Sequence, residues 1–262
     1  MRVLRGNSGL GDAIYLRPVA EILKKTISGL TVTTPYVDVF RNSGISVIPF
    51  RKDKTDLCVS AGSRKKEPTT QFQDICILAG IPKETELKIN WGVFNPALVE
   101  QVKSGAQGKP IMLVKSSYMP FGRRDDFGKD LMPDYQKMDN FLGEIGKSYF
   151  KVLIGAKDRQ YYFFKNIDMD LWSKTTIADL FDVANIADCA VTQVGYTVPM
   201  MESFNKKVMI VFSDKGLKSK EEYLRLILPH KLINKKTTSF FTDVDPMSSM
   251  LDKFRQMESV NV

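Results

Sequence analysis

Arg5-Gly6-Asn7-Ser8-Gly9-Leu10-Gly11-Asp12-Ala13 is the stretch from which the rest of the chain is read. It follows Met1-Arg2-Val3-Leu4, an apolar-leaning run that predicts a first β-strand, and leads through Ile14-Tyr15-Leu16-Arg17-Pro18 into a helical pattern from Glu21 to Lys25. A strand, a glycine turn and a helix are how an α/β domain presents a ligand-binding group. Glycines permit tight turns and close approach, and the helix start offers N–H groups and the positive end of a dipole. The spacing excludes two nucleotide motifs. Gly6 to Gly11 has the first part of a P-loop, but Asp12 stands where that motif needs lysine. Gly6, Gly9 and Gly11 form G-x-x-G-x-G rather than the dinucleotide G-x-G-x-x-G, and the second strand runs into Thr33-Thr34-Pro35. Two readings of Asp12 stay open: a carboxylate at a helix start that takes a proton from a hydroxyl, or a helix N-cap.

At 262 residues the chain holds one large α/β domain or two small ones. Cys58, Cys76 and Cys189 sit in apolar contexts without C-x-x-C spacing, which argues against a disulfide framework or zinc site and for a reducing compartment. The single histidine, His230, has no partner histidine, so a His-based triad or metal cluster lacks support. No run of about 18 apolar residues occurs and the N-terminus enters a strand at once, so the expectation is a cytoplasmic protein without a transmembrane segment or signal peptide. The net charge is +8. Residues 1–108 carry 15 Lys+Arg against 10 Asp+Glu, or +5, and the remainder 23 against 20, or +3. This lean suits an anionic macromolecular partner for the first half, and it is also compatible with solvated lysines.

Along the chain, strands are expected at Thr31–Thr34, Ile45–Ile48 and Leu57–Ser60, a helix turn at Val37–Asn42, and helices at Phe72–Leu78 and Asn95–Val102. Ser104-Gly105-Ala106-Gln107-Gly108-Lys109-Pro110 is the best linker in the sequence. It divides an N-terminal domain, 1–104, from a C-terminal domain, 109–262. The second series runs through strands Ile111–Val114, Val152–Ile154, Cys189–Thr192 and Val208–Phe212, with helices Tyr135–Gly143, Ile177–Ala184 and Val198–Phe204. Alternating strands and helices in two similar halves predict two parallel-sheet, Rossmann-like domains facing across a cleft near residues 104–110.

Gly9-Leu10-Gly11-Asp12 followed by Arg17-Pro18 resembles the opening of the ADP-heptose:lipopolysaccharide heptosyltransferase family of GT-B glycosyltransferases. Val47-Ile48-Pro49-Phe50, Asp56-Leu57-Cys58-Val59, Leu78-Ala79-Gly80-Ile81-Pro82, Ile177-Ala178-Asp179-Leu180 and Ala187-Asp188-Cys189-Ala190-Val191-Thr192 fall in register with later pieces of that family. The resemblance implies a nucleotide-sugar donor in the C-terminal domain, an acceptor in the N-terminal one, and no cofactor beyond the donor substrate. It makes Asp12 the general base, with Gly9 and Gly11 binding the acceptor beside it, and sets Lys115 near the donor diphosphate; the other reading of Lys115 is an exposed strand-end lysine. The chain departs from the family at Gln193-Val194-Gly195-Tyr196-Thr197-Val198, where the usual Asp and His are missing. Gly195 and the amides of Tyr196 and Thr197 can still meet a phosphate there. Glu202 is read as a ribose ligand on the first turns of the following helix, or as a solvent-facing glutamate. With no Asp-x-Asp motif or His cluster, transfer is expected to be metal-independent, with Lys115, Arg123 or Arg124 offsetting the diphosphate charge.

Two acceptors fit the enzyme reading. Arg64, Lys65, Lys66, Arg51, Lys52, Arg123 and Arg124 could line a duplex backbone, which leans the reading toward a hydroxymethylated base in DNA. The alternative is a lipopolysaccharide core sugar, as the resemblance implies. A non-catalytic binding protein on a GT-B scaffold is the contrasting class.

Overall fold

A computed structural model describes residues 2–6, 9–50, 56–59, 69–115, 133–155, 162–193, 195–213 and 236–259. Within them two parallel sheets form. The first contains β1 (Arg2–Arg5), β2 (Leu30–Thr33), β3 (Ser46–Ile48) and β4 (Leu57–Cys58), ordered β3-β2-β1-β4. The second contains β5 (Ile111–Lys115), β6 (Phe150–Ile154), β7 (Met169–Asp170), β8 (Cys189–Thr192), β9 (Lys207–Phe212) and β10 (Thr237–Phe241), ordered β10-β9-β8-β5-β6-β7. Every pairing is parallel. Within each sheet the order reverses beside its first strand, between β1 and β4 and between β5 and β8. In open α/β sheets such switch points leave a crevice at the carboxyl ends of the strands, where ligands bind.

The helices are α1 (Leu10–Leu23), α2 (Gln71–Leu78), α3 (Pro96–Ala106), α4 (Tyr135–Glu144), α5 (Ile177–Ile186), α6 (Thr197–Ser203) and α7 (Met247–Ser259). Their starts are written locally. Thr70 caps α2 and Thr176 caps α5, each in a reciprocal capping box, with Gln73 and Asp179 respectively. Asn95 caps α3, with Pro96 in its first turn, where a missing N–H costs nothing. α1 begins at Leu10 and runs through Pro18, eleven residues earlier than the helical pattern from Glu21 suggests. Pro18 removes one internal hydrogen bond, but its whole neighbourhood from Ala13 to Ala20 is buried, and that packing outweighs the local preference.

Arg17, on the same helix, is 1% exposed and acts as a brace. Its guanidinium pairs with Glu21 and donates to the Val39 and Asn90 carbonyls at 2.8 and 2.7 Å. The segment Leu87–Asn95 thereby ties α1 to the second half, where Asp182 of α5 accepts from Trp91 Nε1, Phe94 N and Asn95 N.

Two expectations change here. Ser104, Gly105 and Ala106 are the last turn of α3, not linker; the turn proper begins at Gln107, whose φ is 51°, and Gly108, at 82°. α3 itself packs on α5, and a side chain at Gly105 would meet Phe150 of β6. The turn precedes β5, so it lies at the amino-terminal end of the second sheet, away from the crevice. β7, β10 and α7 have no counterpart among the expected elements.

Candidate functional site

The two halves meet where α1 crosses α6. Gly11 permits it: a Cβ there would lie 3.6 Å from Pro199 Cγ and 3.7 Å from Tyr196 Cα, and anything larger would push α6 away. Above this crossing opens a cavity of about 410 Å³ lined by Gly9, Leu10, Gly11, Asp12, Tyr15, Tyr36, Gln71, Gly195, Tyr196 and Pro199. It lies beyond the carboxyl ends of β1 and β8, at both switch points. Asp12 and Gly195 face it from opposite sides, one from each sheet's layer.

Asp12 is not the N-cap of α1. Gly9 occupies that position, without a side-chain cap, and Asp12 sits in the first turn. Its Oδ1 accepts a 2.8 Å hydrogen bond from Gln71 Nε2, and its Oδ2 lies 2.5 Å from where a Cβ on Gly9 would stand. A side chain at position 9 would thus meet the carboxylate folded over it, while the backbone angles of Gly9 itself are extended and open to any residue.

One turn further along α1, Tyr15 lines the same cavity with its ring against Phe72, centroids 5.9 Å apart. Burial, and then the carboxylates of Glu202 and Asp12, push its hydroxyl well above the usual phenol range. Tyr15 is thus a neutral hydrogen-bond donor at any working pH.

Behind the opposite wall, Lys115 ends β5 in register with Thr192 of β8; it is not itself among the described residues that line the cavity. It is buried, not an exposed strand-end lysine. Its ammonium stands 4.0 Å from the centroid of the Tyr196 ring and 2.9 Å from the position of a Cβ on Gly195. Glycine at 195 gives the lysine its path, and the aromatic face stabilises its charge.

The other expected residues fall elsewhere. Thr197 begins α6 and is fully buried, but is not among the described residues that line the cavity. Glu202 lies on the last turn of α6, neither on its first turns nor facing solvent: it is 3% exposed, accepts from Thr237 Oγ1 at 3.0 Å, and lines a second cavity of about 260 Å³ with Thr70, Gln73, Lys83 and Thr85. It sits behind Tyr15, not in the main cavity. Arg64, Lys65, Lys66, Arg123 and Arg124, like Arg51, Lys52 and His230, lie outside the described residues. Among the described residues no cluster of three His, Cys, Asp or Glu side chains is placed to hold a metal ion, and no helix is long and apolar enough to cross a membrane. The sequence reading assigned no role to Tyr15, Tyr36, Gln71 or Pro199. Tyr15 had a signal, its spacing of three from Asp12 on one helix face; the others are brought in by folding.

No protein-family model matches the sequence, and no curated protein sequence matches it. Solved structures do. The chain is similar to a glycosyl transferase family 9 protein from Veillonella parvula DSM 2008, with a TM-score of 0.63 and 11% identity over 98% of this chain and 96% of that one. It is similar to the E. coli heptosyltransferase WaaC solved with ADP-2-deoxy-2-fluoro heptose, at a TM-score of 0.60 and 11% identity over 99% and 100% of the two chains. A putative UDP-N-acetylglucosamine 2-epimerase from Listeria monocytogenes follows, at 0.55 and 11% over 98% and 87%. Identity this low speaks to architecture alone, so the likeness to heptosyltransferases read from short stretches of sequence is a likeness of fold, and the chain has their GT-B arrangement of two parallel-sheet halves.

Proposed function

We propose that the protein is a glycosyltransferase that moves a sugar from a nucleoside-diphosphate sugar to a hydroxyl of an acceptor, heptosyltransferase-like in donor and acceptor. The observation that carries the reading is one cavity with the Asp12 carboxylate in its N-terminal wall and, packed behind Gly195 and Tyr196 of its C-terminal wall, the buried ammonium of Lys115. Transfer needs both charges. The acceptor hydroxyl gives its proton to the Asp12 carboxylate as its oxygen bonds to the sugar C1. The bond from C1 to the diphosphate oxygen breaks, and the departing nucleoside diphosphate takes that electron pair beside Lys115. Tyr15, as a neutral phenol, donates to a sugar or acceptor oxygen. Gly195 and Tyr196 shape the diphosphate end, and Lys115 meets its charge without a divalent ion.

The structural neighbours favour a lipopolysaccharide-type acceptor over DNA. The E. coli protein named ADP-heptose lps heptosyltransferase II has the same fold, at a TM-score of 0.59 and 10% identity over 98% of both chains, and its name gives the acceptor proposed here. The basic residues that suggested a duplex backbone lie outside the described residues and lend the DNA reading no geometry.

The test is release of ADP from ADP-heptose by purified protein, with heptose-deficient lipopolysaccharide core in one arm and hydroxymethylated duplex DNA in the other, each with and without EDTA. Acceptor-dependent release with the core, unchanged by EDTA, is expected. Release only with DNA transfers the activity to the other acceptor, and donor binding without release in any arm leaves a binding protein.

A further inference from the structure

Gln71 reaches the Asp12 carboxylate from an element that nothing in the sequence links to it. It donates from Nε2 to Asp12 Oδ1 at 2.8 Å, across 59 residues of sequence, and both side chains line the cavity. We propose that Gln71 is a positioning residue for the general base, holding the Asp12 carboxylate in the rotamer that faces the acceptor. The proposal rests on the transferase reading.

The surroundings show that this contact is built. Gln71 is the first residue of α2, and the backbone just before it is fixed by the reciprocal bonds of Thr70 and Gln73, 2.9 and 3.2 Å. Thr69 Oγ1 bonds Asp74 Oδ1 within the same turn. The next residue, Phe72, is 1% exposed and packs on Tyr15, one turn along α1 from Asp12. Asp12 and Tyr15 on one helix thus face Gln71 and Phe72 on the other, the apolar pair setting the distance at which the polar pair meets. An ionised carboxylate only accepts hydrogen bonds and an amide NH₂ only donates, so the contact has one polarity.

A base that must meet a hydroxyl within hydrogen-bond reach loses rate when its oxygens wander. Misplacement by about 1 Å costs up to roughly 100-fold, and a hydrogen bond to a charged group is among the stronger ones available to prevent it. Gln71 supplies the restraint from α2.

The order of two variants separates a donor from a packing residue. Gln71→Glu keeps the shape but turns a carboxylate toward Asp12, whereas Gln71→Ala removes both shape and donor. If Gln71 acts by donating, Gln71→Ala lowers kcat for ADP release from ADP-heptose by about 10- to 100-fold with donor KM within about twofold. Gln71→Glu then falls further than Gln71→Ala. In an Asp12→Asn background Gln71→Ala adds less than twofold, because there is no base left to position. A parallel double-mutant cycle of Asp12→Ala and Gln71→Ala on urea unfolding, which needs no activity, reads the bond itself, since Asp12→Ala removes the acceptor.

Wild-type kcat in Gln71→Ala, or a milder loss in Gln71→Glu than in Gln71→Ala, overturns the proposal while leaving the transferase reading intact. Additive unfolding energies for positions 12 and 71 overturn it as well, by showing that the bond is not made. If the wild-type protein releases no ADP, or Asp12→Asn turns over normally, the transferase reading fails first and the positioning role with it.

Discussion

Asp182 lies fully buried in α5 and receives the indole N–H of Trp91 at 2.7 Å, so a carboxylate of the second half holds the strand-like segment that leaves the first. The same carboxylate accepts from the amides of Phe94 and Asn95 at 3.0 and 2.5 Å, while Trp91 stacks on Phe181, centroids 4.6 Å apart. With Arg17 gripping Asn90 from α1, this short segment ties the two halves together beside the α1–α6 crossing.

Asp182→Ala leaves three donors without their acceptor, the Trp91 indole N–H in a buried site and the two amides in a half-buried one, and is expected to lower the free energy of unfolding by about 3 kcal/mol. Trp91→Phe keeps the stacking and loses one donor, for about 1–2 kcal/mol. Urea unfolding measures both. A change below about 0.5 kcal/mol in Asp182→Ala would show that the segment is held by apolar contact instead.

Asp12→Asn retains size and can still accept from Gln71, but it has no basic carboxylate oxygen. Because Gly9, not Asp12, caps α1, the melting temperature should hardly move. Turnover is expected to fall by roughly 10²–10⁴-fold, with donor affinity kept. Steady-state kinetics beside calorimetric donor titration reads both. Near-wild-type turnover in a folded Asp12→Asn protein removes the base.

Gly195→Ala separates function from folding at the other wall. The added methyl would stand 2.9 Å from Lys115 Nζ, and the end of a lysine can swing aside at little cost. Thermal stability should therefore stay within a few degrees of wild type, while donor KM rises about 10-fold as the ammonium leaves the Tyr196 face and the diphosphate end of the cavity. Equal donor KM in the two proteins would mean that Lys115 does not meet the donor.

The pH dependence of stability has a named contributor. Burial raises the Asp179 carboxyl, but bonds from Asn95 Nδ2 and from the Thr176 amide and hydroxyl outweigh it and hold the group below the usual carboxylate range. A carboxyl depressed in the folded state adds stability that is complete above its unfolded value, about 4, and is lost as pH falls through the folded one. Wild type should accordingly exceed Asp179→Asn most at pH 7, and the gap should narrow below pH 4. A gap constant from pH 7 to pH 3, by urea unfolding, would contradict this assignment.

How much of this was legible depended on whether a signal was local. Ile111–Val114 and Val208–Phe212 announce buried parallel strands because both faces of such strands are covered, and their runs are continuously apolar. Thr237-Thr238-Ser239 carries no such run, so β10 became visible only through its pairing with β9. α7 did have a period, Met250, Phe254 and Met257 being its buried residues, but an overall polar composition masked it. At the site, Gly9, Gly11 and Asp12 share one turn and could be read together. Gln71 and Tyr36 belong to elements whose meeting with α1 is a property of packing, and nothing near them in sequence says so.

The seating of α3 bears on how the protein could be divided. Val99, Val102 and Ala106 form its buried face, and α3 packs on α5 although it comes before the turn at Gln107. A fragment beginning at residue 109 would carry the whole second sheet but strip a covering helix from it, exposing the apolar side of α5 to water and inviting aggregation. A fragment beginning ahead of Leu87 keeps both that helix and the Trp91 and Asn95 bonds to α5. Independent expression of the C-terminal half should succeed with the longer piece and fail with the shorter.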